Sequence, residues 1–190
     1  MLGDQIGLRG FRVTNPQRME ERRRAILLAA ARVFEEKGYA AATMDDIAER
    51  LGASKGVIYY QFRNKEEIIA ELRIILAQEE TADLEAFIAL GHPPDVTLRY
   101  AIATLARRQF RELNRHSVLL RNPPDLSAEN LQRIKAAESR YVRLLQELLQ
   151  CGMDSNVFIR RPIPVATHCI IEGAFSHVLW YKPDGVLTPD

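Results

Sequence analysis

The chain has 190 residues and a net charge of +1, with 47% hydrophobic and 27% charged residues, so it can bury a core and wholesale disorder is excluded. No apolar run reaches the roughly 18 residues of a membrane-spanning helix, and no apolar segment of a secretory signal follows the first charges. Cys151 and Cys169 are the only cysteines, which excludes a disulfide framework and fits a reducing compartment. We therefore expect a cytoplasmic protein that does not contact a membrane.

The charges are distributed unevenly along the chain. Residues 1–65 carry 12 Lys and Arg against 8 Asp and Glu, whereas residues 66–190 carry 14 against 17. The N-terminal third is therefore positive and the remainder is negative. This asymmetry favours an anionic polymer as the partner of the N-terminal third.

The first residues contain an arm and then a helix. Residues 1–19 contain three glycines and three arginines without an apolar period, and we interpret them as a flexible basic arm. From residue 20 onward apolar residues recur at helical spacing and never alternate long enough to predict a strand, so the fold class is all-α. Helix one is predicted over 20–37, with Gly38 as its C-cap glycine.

Two short helices follow within twenty residues. Thr43 and Asp46 form a capping-box pattern that begins helix two, and Gly52 ends it. Ser54 is placed to cap helix three, which is expected to end near Tyr60. About three residues separate the two helices, which is the spacing of a helix-turn-helix.

Helix three divides into a buried and an exposed face. The exposed face presents hydroxyls and an ammonium, which bind phosphate, and a glycine, which permits close approach to a base pair. The same spacing also suits a surface corner of a helical bundle. The predicted core is Phe34, Ile47, Leu51, Val57, Ile58 and Phe62, and the predicted exposed face is Ser54, Lys55, Gly56, Tyr59 and Tyr60.

Four further helices are predicted from their end signals. Asn64 caps a helix over 64–80, and Asp95 caps one that ends near Leu113. The third runs from Ser127 to about Cys151, with Gly152 as its end, and the last runs over 164–181 after Pro162 and Pro164.

No enzyme motif accompanies these helices. The chain has no nucleophile elbow, zinc-protease motif, dinucleotide fingerprint or P-loop. His168 and His177 are nine residues apart, half a helical turn out of phase, so one helix cannot direct both at one metal. We expect no enzymatic activity, no cofactor and no metal.

Two stretches of fixed spacing carry a family resemblance. They read FEEKGY over 34–39 and ATMDDIAERLGASKGVIYYQFRNKEEII over 42–69. They are similar to the DNA-binding domain of the TetR family of bacterial repressors, and the similarity covers 22–66. The remainder of the chain agrees with that family in length, helical character and order of elements.

The resemblance implies DNA contacts at matching positions. Thr43 corresponds to the residue that caps helix two and touches a phosphate, and Tyr59 and Lys65 correspond to phosphate-binding residues. The start of helix three corresponds to the part that contacts bases, and the basic arm is a candidate for minor-groove or backbone contact. The implied contacts are Thr43, Ser54, Lys55, Gly56, Tyr59, Tyr60, Gln61 and Lys65.

The resemblance also implies two domains with different roles. Residues 20–66 are expected to be the helix-turn-helix domain and 67–190 a larger ligand-binding and dimerisation domain. The last helix is apolar nearly all round, with Glu172 as its only formal charge between 165 and 181, so it needs cover on both sides. A homodimer provides that cover, and a central helix of a monomer is the alternative. The expected interface residues are Leu145, Leu148, Ile171, Phe175 and Val178.

An effector cavity is expected in the same domain. Large apolar residues after position 95 exceed the needs of a thin bundle, and arginines follow them on the same segment, which suits an apolar molecule with an anionic head. A filled core under a solvated arginine face is the alternative. The expected lining is Leu98, Ile102, Leu105, Phe110, His116, Phe175, Leu179 and Trp180.

Taken as a member of this family, the chain is expected to be a repressor that binds palindromic operator DNA as a homodimer and is released by a small hydrophobic effector. Residues 152–158 and 180–189 are similar to the branch that responds to acyl-CoA or related lipids. A multidrug-type repressor is the first alternative. A helical lipid-binding protein without DNA function is the second.

Overall fold

The computed structural model describes residues 16–111 and 126–176, and this part of the chain forms seven helices and no strand. The all-α fold class predicted from the sequence is confirmed. None of the described helices is long and apolar enough to cross a membrane. The helices are α1 (Pro16–Lys37), α2 (Met44–Leu51), α3 (Lys55–Gln61), α4 (Lys65–Ile88), α5 (Pro94–Arg111), α6 (Ala128–Asp154) and α7 (Ile163–Phe175).

Two helices begin earlier than predicted because proline supplies their first turn. Helix α1 begins at Pro16, so the last four residues of the expected arm are helical, and α5 begins at Pro94. Proline suits the first helical position because an N–H at that position would have no partner within the helix, so its absence costs nothing. Asp95 accordingly lies in the first turn of α5 and is not its N-cap.

Two helices also extend further than predicted. Helix α4 continues to Ile88 rather than ending near residue 80, because no glycine or proline interrupts it before Gly91. Helix α6 continues through Gly152 to Asp154, so this glycine does not end the helix. The last helix starts at Ile163, directly after Pro162.

The N-terminal helices share one apolar core. Helices α1 to α3 and the first turns of α4 enclose a cluster in which Phe34, Ile47, Ile58 and Phe62 are almost completely buried. Leu51 packs on its edge, and Val57 is half-buried. The cluster fixes α3 against α1 and α2 and leaves its opposite side in solvent.

The C-terminal helices form a second core, and α4 belongs to both. Helices α5, α6 and α7 surround a cluster centred on Leu145. Ile68 and Ile69 near the start of α4 lie in the first cluster, whereas Leu84 near its end lies in the second. Leu126, just before α6, also packs on the first cluster. A displacement of α4 or α6 therefore reaches both cores.

A left-handed residue returns the chain after α6. Asn156 has φ of 57°, a conformation that asparagine tolerates better than most residues. The turn folds Phe158 back over Gly152, whose carbonyl accepts from the N–H groups of Val157 and Phe158 at 2.8 and 2.9 Å. This explains why a glycine sits inside α6: a Cβ at position 152 would lie 2.1 Å from the Phe158 ring.

Candidate nucleic-acid interface

The start of α2 is fixed by a complete capping box. The Thr43 hydroxyl accepts from the Asp46 N–H at 3.1 Å, and the Thr43 N–H donates to the Asp46 carboxylate at 2.9 Å. Lys37 of α1 donates to the other carboxylate oxygen at 2.7 Å. The hydrogen bonds from Lys37 and then Thr43 lower the pKa of Asp46 to about 2. Thr43 itself stays exposed at the edge of the domain.

Helix α3 presents the exposed face that the sequence predicts. Tyr59 and Tyr60 are 53% and 52% exposed although they are neighbours, because Ile58 within the helix and Phe62 directly after it are the residues that point into the core. Lys55 and Gly56 are also exposed, and Gln61 is half-buried. The face therefore combines phenolic hydroxyls, an ammonium and open backbone on one side.

The helix begins after Ser54, as predicted, but its capping differs. Ser54 takes the N-cap position with extended backbone, and its side chain makes no capping hydrogen bond. The C-terminal end is closed by the Phe62 N–H, which donates to the Ile58 carbonyl at 2.9 Å. The Ser54 hydroxyl therefore does not hold the first turn of α3.

Lys55 has a carboxylate partner that the sequence did not reveal. Its ammonium donates to Asp45 of α2, and this hydrogen bond raises the pKa of Lys55. Both side chains are more than half exposed, so the pair contributes little to stability and exchanges readily. An anion that approaches α3 competes with Asp45 for Lys55.

Lys65 does not fit the phosphate contact that the resemblance implies. Its ammonium donates to the carbonyls of Tyr39, Ala40 and Ala42 at 2.7, 3.0 and 3.0 Å and lies 4.6 Å from the Tyr39 ring centroid. An ammonium has three N–H donors, so none remains for a phosphate. Lys65 holds the loop between α1 and α2 onto the start of α4.

Arg23 is a contact of α3 that sequence reasoning missed. Its guanidinium donates to the Gln61 carbonyl at 3.3 Å, lies 4.3 Å from the Phe62 ring centroid, and pairs with Glu71 of α4 at 3.1 Å. These partners are 38 to 48 residues away in sequence. No local spacing signal identifies such a residue, because it depends on how α1, α3 and α4 pack.

The C-terminal domain contains a small cavity between α4, α5 and α6. It has a volume of about 10 Å³, room for about one water molecule, whereas ligand sites are typically about 300 Å³ or more. Glu80, Tyr100, Thr104 and Tyr141 form its polar wall. Burial, with the Glu80 charge as a second cause, raises the pKa of Tyr141 well above its usual range.

The predicted effector residues lie only partly around this cavity. Leu105 lines it, whereas Leu98 and Phe175 pack on the C-terminal cluster and Ile102 is exposed. Of the four predicted residues whose side chains the structure describes, one therefore lies at the cavity wall. Four predictions concern side chains outside the described residues: Phe110, His116, Leu179 and Trp180.

The predicted interface residues mostly face their own core. Leu145 and Leu148 are buried in the C-terminal cluster, and Ile171 and Phe175 pack against it. Val178 lies outside the described residues. The exposed side of α7 carries other residues, which include Val165, His168, Cys169 and Glu172.

Known proteins match the chain over both halves. Residues 26–72 match the model of the bacterial regulatory proteins of the tetR family, and residues 91–190 match that of the tetracyclin repressor-like C-terminal domain. The regulator HbdR of Aromatoleum sp. (strain CIB) is 30% identical over 141 residues, 73% of this chain, which thereby spans 60% of the length of HbdR.

Solved structures agree with these matches. The TetR family transcriptional regulator PfmR from Thermus thermophilus is 30% identical with a TM-score of 0.74, covering 86% of this chain and 90% of PfmR. AibR, solved in complex with isovaleryl coenzyme A and operator DNA, is 24% identical with a TM-score of 0.74, covering 88% of this chain and 91% of AibR. The C-terminal family model alone spans more than half of the chain, and the chain belongs to the tetR family of bacterial regulatory proteins.

Proposed function

We propose that the chain is a ligand-responsive transcriptional repressor that binds palindromic operator DNA as a homodimer. The observation that carries the proposal is the exposed face of α3, where Lys55, Tyr59 and Tyr60 face solvent while the opposite side of the helix packs into the core. A helix of this kind fits the major groove, where phosphate contacts fix its register and the first turn meets base edges. Thr43, exposed at the start of α2, offers a further hydroxyl.

The DNA proposal is tested with a duplex selected from a random pool by the wild-type protein. Tyr59→Phe removes only a hydroxyl and is expected to weaken binding about tenfold or more, since a hydrogen bond to a charged group contributes about 1.5–3 kcal/mol. Tyr100→Phe is the matched control, because Tyr100 stacks on Phe87 in the C-terminal domain. Failure to select any duplex, or equal affinity for both variants, contradicts the proposal.

Lys55 provides a second readout of the same interface. Lys55→Met is expected to make the decline of log affinity with log salt shallower by about one per subunit, because one fewer counterion is released. An unchanged salt slope would mean that Lys55 contacts neither a phosphate nor a base.

A homodimer is proposed through the exposed side of α7. Val165 is 60% exposed on this helix, and Cys169 one turn later is exposed too. His168 and Glu172 add polar groups to this side, and the apolar Val165 is stabilised when a second surface covers it. Sedimentation equilibrium is expected to give about twice the mass of 21.6 kDa, and a monomer at micromolar concentration contradicts this part of the proposal.

The effector is proposed to be an acyl-CoA or similar lipid. AibR, which shares the fold, was solved with isovaleryl coenzyme A, and the arginines between 99 and 121 supply charge for a phosphate-bearing head. Acyl-CoAs of increasing chain length are expected to release the duplex, with free coenzyme A as the matched control. Release by free coenzyme A alone would contradict recognition of the acyl chain.

A cationic effector is the second candidate, because a carboxylate lies in the cavity wall. Glu80 borders the cavity together with Tyr100 and Tyr141, and two aromatic rings beside a carboxylate suit an organic cation. Because the cavity has room for about one water molecule, such a cation enters only if α4, α5 and α6 move apart. Release by tetraphenylphosphonium, without release by any acyl-CoA, would favour this candidate. Glu80→Gln should then reduce the response.

A further inference from the structure

Arg23 joins the end of α3 to α4. One guanidinium nitrogen donates to the carbonyl of Gln61, the last residue of α3, and the other pairs with the Glu71 carboxylate at 3.1 Å. The guanidinium also lies over the Phe62 ring, 4.3 Å from its centroid, where a cation is attracted to the aromatic face. A cation at the C-terminal end of a helix is favoured by the partial negative charge of the last carbonyls.

The same carboxylate oxygen is shared with a third helix. Arg133 of α6 pairs with Glu71 Oε2 at 2.9 Å, and Arg23 pairs with the same oxygen. Only 17% of the Glu71 side chain is exposed, so solvent screens this pairing less than it screens a surface ion pair. The other guanidinium nitrogen of Arg133 donates to the Asn130 side chain at 3.0 Å.

The first turn of α6 is attached to α4 at a second point. Glu66 Oε1 accepts from the Ser127 N–H and from the Asn130 amide, both at 2.7 Å. These hydrogen bonds lower the pKa of the Glu66 carboxyl, which therefore stays ionised. Leu126 packs on the N-terminal core beside them. The start of α6 and the first two turns of α4 are thus one polar junction, and α3 is attached to it through Arg23.

We propose that Arg23 is a positioning residue for DNA recognition and that Glu71 couples the placement of α3 to the C-terminal helices. The proposal rests on the proposed function in that α3 is taken as the DNA-contacting helix. Because two guanidinium groups share the charge of one oxygen, a shift of α6 that weakens the Arg133 contact leaves Glu71 to Arg23 alone. The end of α3 is then held more tightly, and the opposite shift loosens it.

The shared oxygen gives a test that a purely structural role would fail. Glu71→Gln removes the anchor of Arg23, so amide hydrogen exchange in residues 55–62 is expected to rise about fivefold, the lower end of typical coupling. Arg133→Met removes the cation that shares this oxygen, so exchange in the same peptide is expected to fall. If the contacts only stabilise the fold, both variants raise exchange, and the proposal is overturned.

A matched control lies on the same two helices. Arg73 of α4 pairs with Glu138 of α6 at 2.6 Å and is not part of the junction with α3. Arg73→Met is therefore expected to leave exchange in residues 55–62 unchanged. An effect equal in sign and size to that of Arg133→Met would mean that any loss between α4 and α6 reaches α3, and Glu71 would have no special role.

DNA affinity provides the functional arm. For a duplex selected by the wild-type protein, Glu71→Gln is expected to weaken binding about fivefold or more. Arg23→Lys in the Glu71→Gln background is expected to cause little further loss of affinity. Additive losses contradict the coupling. If the wild type selects no duplex, the proposed DNA function fails, whereas the exchange measurements still decide whether Glu71 positions α3.

Discussion

At the scale of single residues, the Lys65 ammonium stabilises the N-terminal domain by donating hydrogen bonds to three backbone carbonyls of one loop. Lys65→Met keeps the apolar stem and leaves those carbonyls without their charged donor, so we expect a loss of about 1–3 kcal/mol in the free energy of unfolding. Urea denaturation measures this loss.

The same variant separates a structural from a DNA-contacting role. Lys65→Met is expected to keep the salt dependence of DNA binding of the wild type, because no N–H of Lys65 is left for a phosphate. Lys55→Met, by contrast, is expected to reduce it. A shallower salt slope for Lys65→Met, with unchanged stability, would reinstate the phosphate contact.

Asp46 makes stability depend on pH in the acid range. Its pKa is lowered to about 2 in the folded protein from an ordinary value of 3.8. The ionised carboxylate therefore adds to the free energy of unfolding in full above about pH 4, and this addition is lost as pH falls towards 2. The urea midpoint of the wild type is expected to fall between pH 5 and 2 more steeply than that of Asp46→Asn. Lys37→Met, which removes the largest cause of the shift, should give an intermediate slope, and parallel curves for all three proteins would contradict the assignment.

At the scale of elements, the turn after α6 depends on a glycine that no side chain can replace. A Cβ at position 152 would lie 2.1 and 2.2 Å from two carbons of the Phe158 ring, so Gly152→Ala displaces the ring. We expect a loss of about 1–3 kcal/mol, as for an overpacked core. Thermal unfolding measures it, and Phe158→Leu in the same background should restore part of the loss.

A second helical glycine serves as the control for that variant. A Cβ at Gly56 meets nothing nearer than the Ser54 hydroxyl at 4.0 Å, so Gly56→Ala is expected to stabilise α3 by about 0.5–1 kcal/mol through helix propensity. If both substitutions shift the unfolding temperature alike, the close approach of Phe158 does not explain Gly152.

The start of a helix was predictable where a side chain accepts a hydrogen bond from the backbone of the first turn. Thr43, Asn64 and Ser127 each accept from the N–H three residues later, which is a signal readable from the chain. The length of α4 and the start of α5 were not predictable, because nothing local ends the first and proline begins the second.

At the scale of the whole molecule, the contacts between domains could not be read from the sequence. Glu71 meets Arg23 and Arg133, which are 48 and 62 residues away, and no local pattern in the sequence connects residues so far apart. The exposed face of α3 was predictable because the apolar Ile58 and Phe62 lie about one helical turn apart. The residues between them therefore point away from the core. The side of α7 that faces away from the core was not predictable, because that helix is apolar nearly all round and its packing against α5 and α6 decides which face is covered.

The outward side of α7 leads to a prediction about assembly. If Val165 is covered by a second copy, Val165→Glu places a charge in an apolar interface, which costs several kcal/mol unless it is paired. The wild type is then expected to unfold at a temperature that rises with protein concentration, since association stabilises the folded state by mass action. Val165→Glu should remove that dependence and sediment as a monomer, while Leu90→Glu, at a 67% exposed position after α4, should behave as the wild type. A wild-type unfolding temperature independent of concentration over two decades, together with a monomeric mass, would contradict the interface and leave α7 as an outer helix of a single chain.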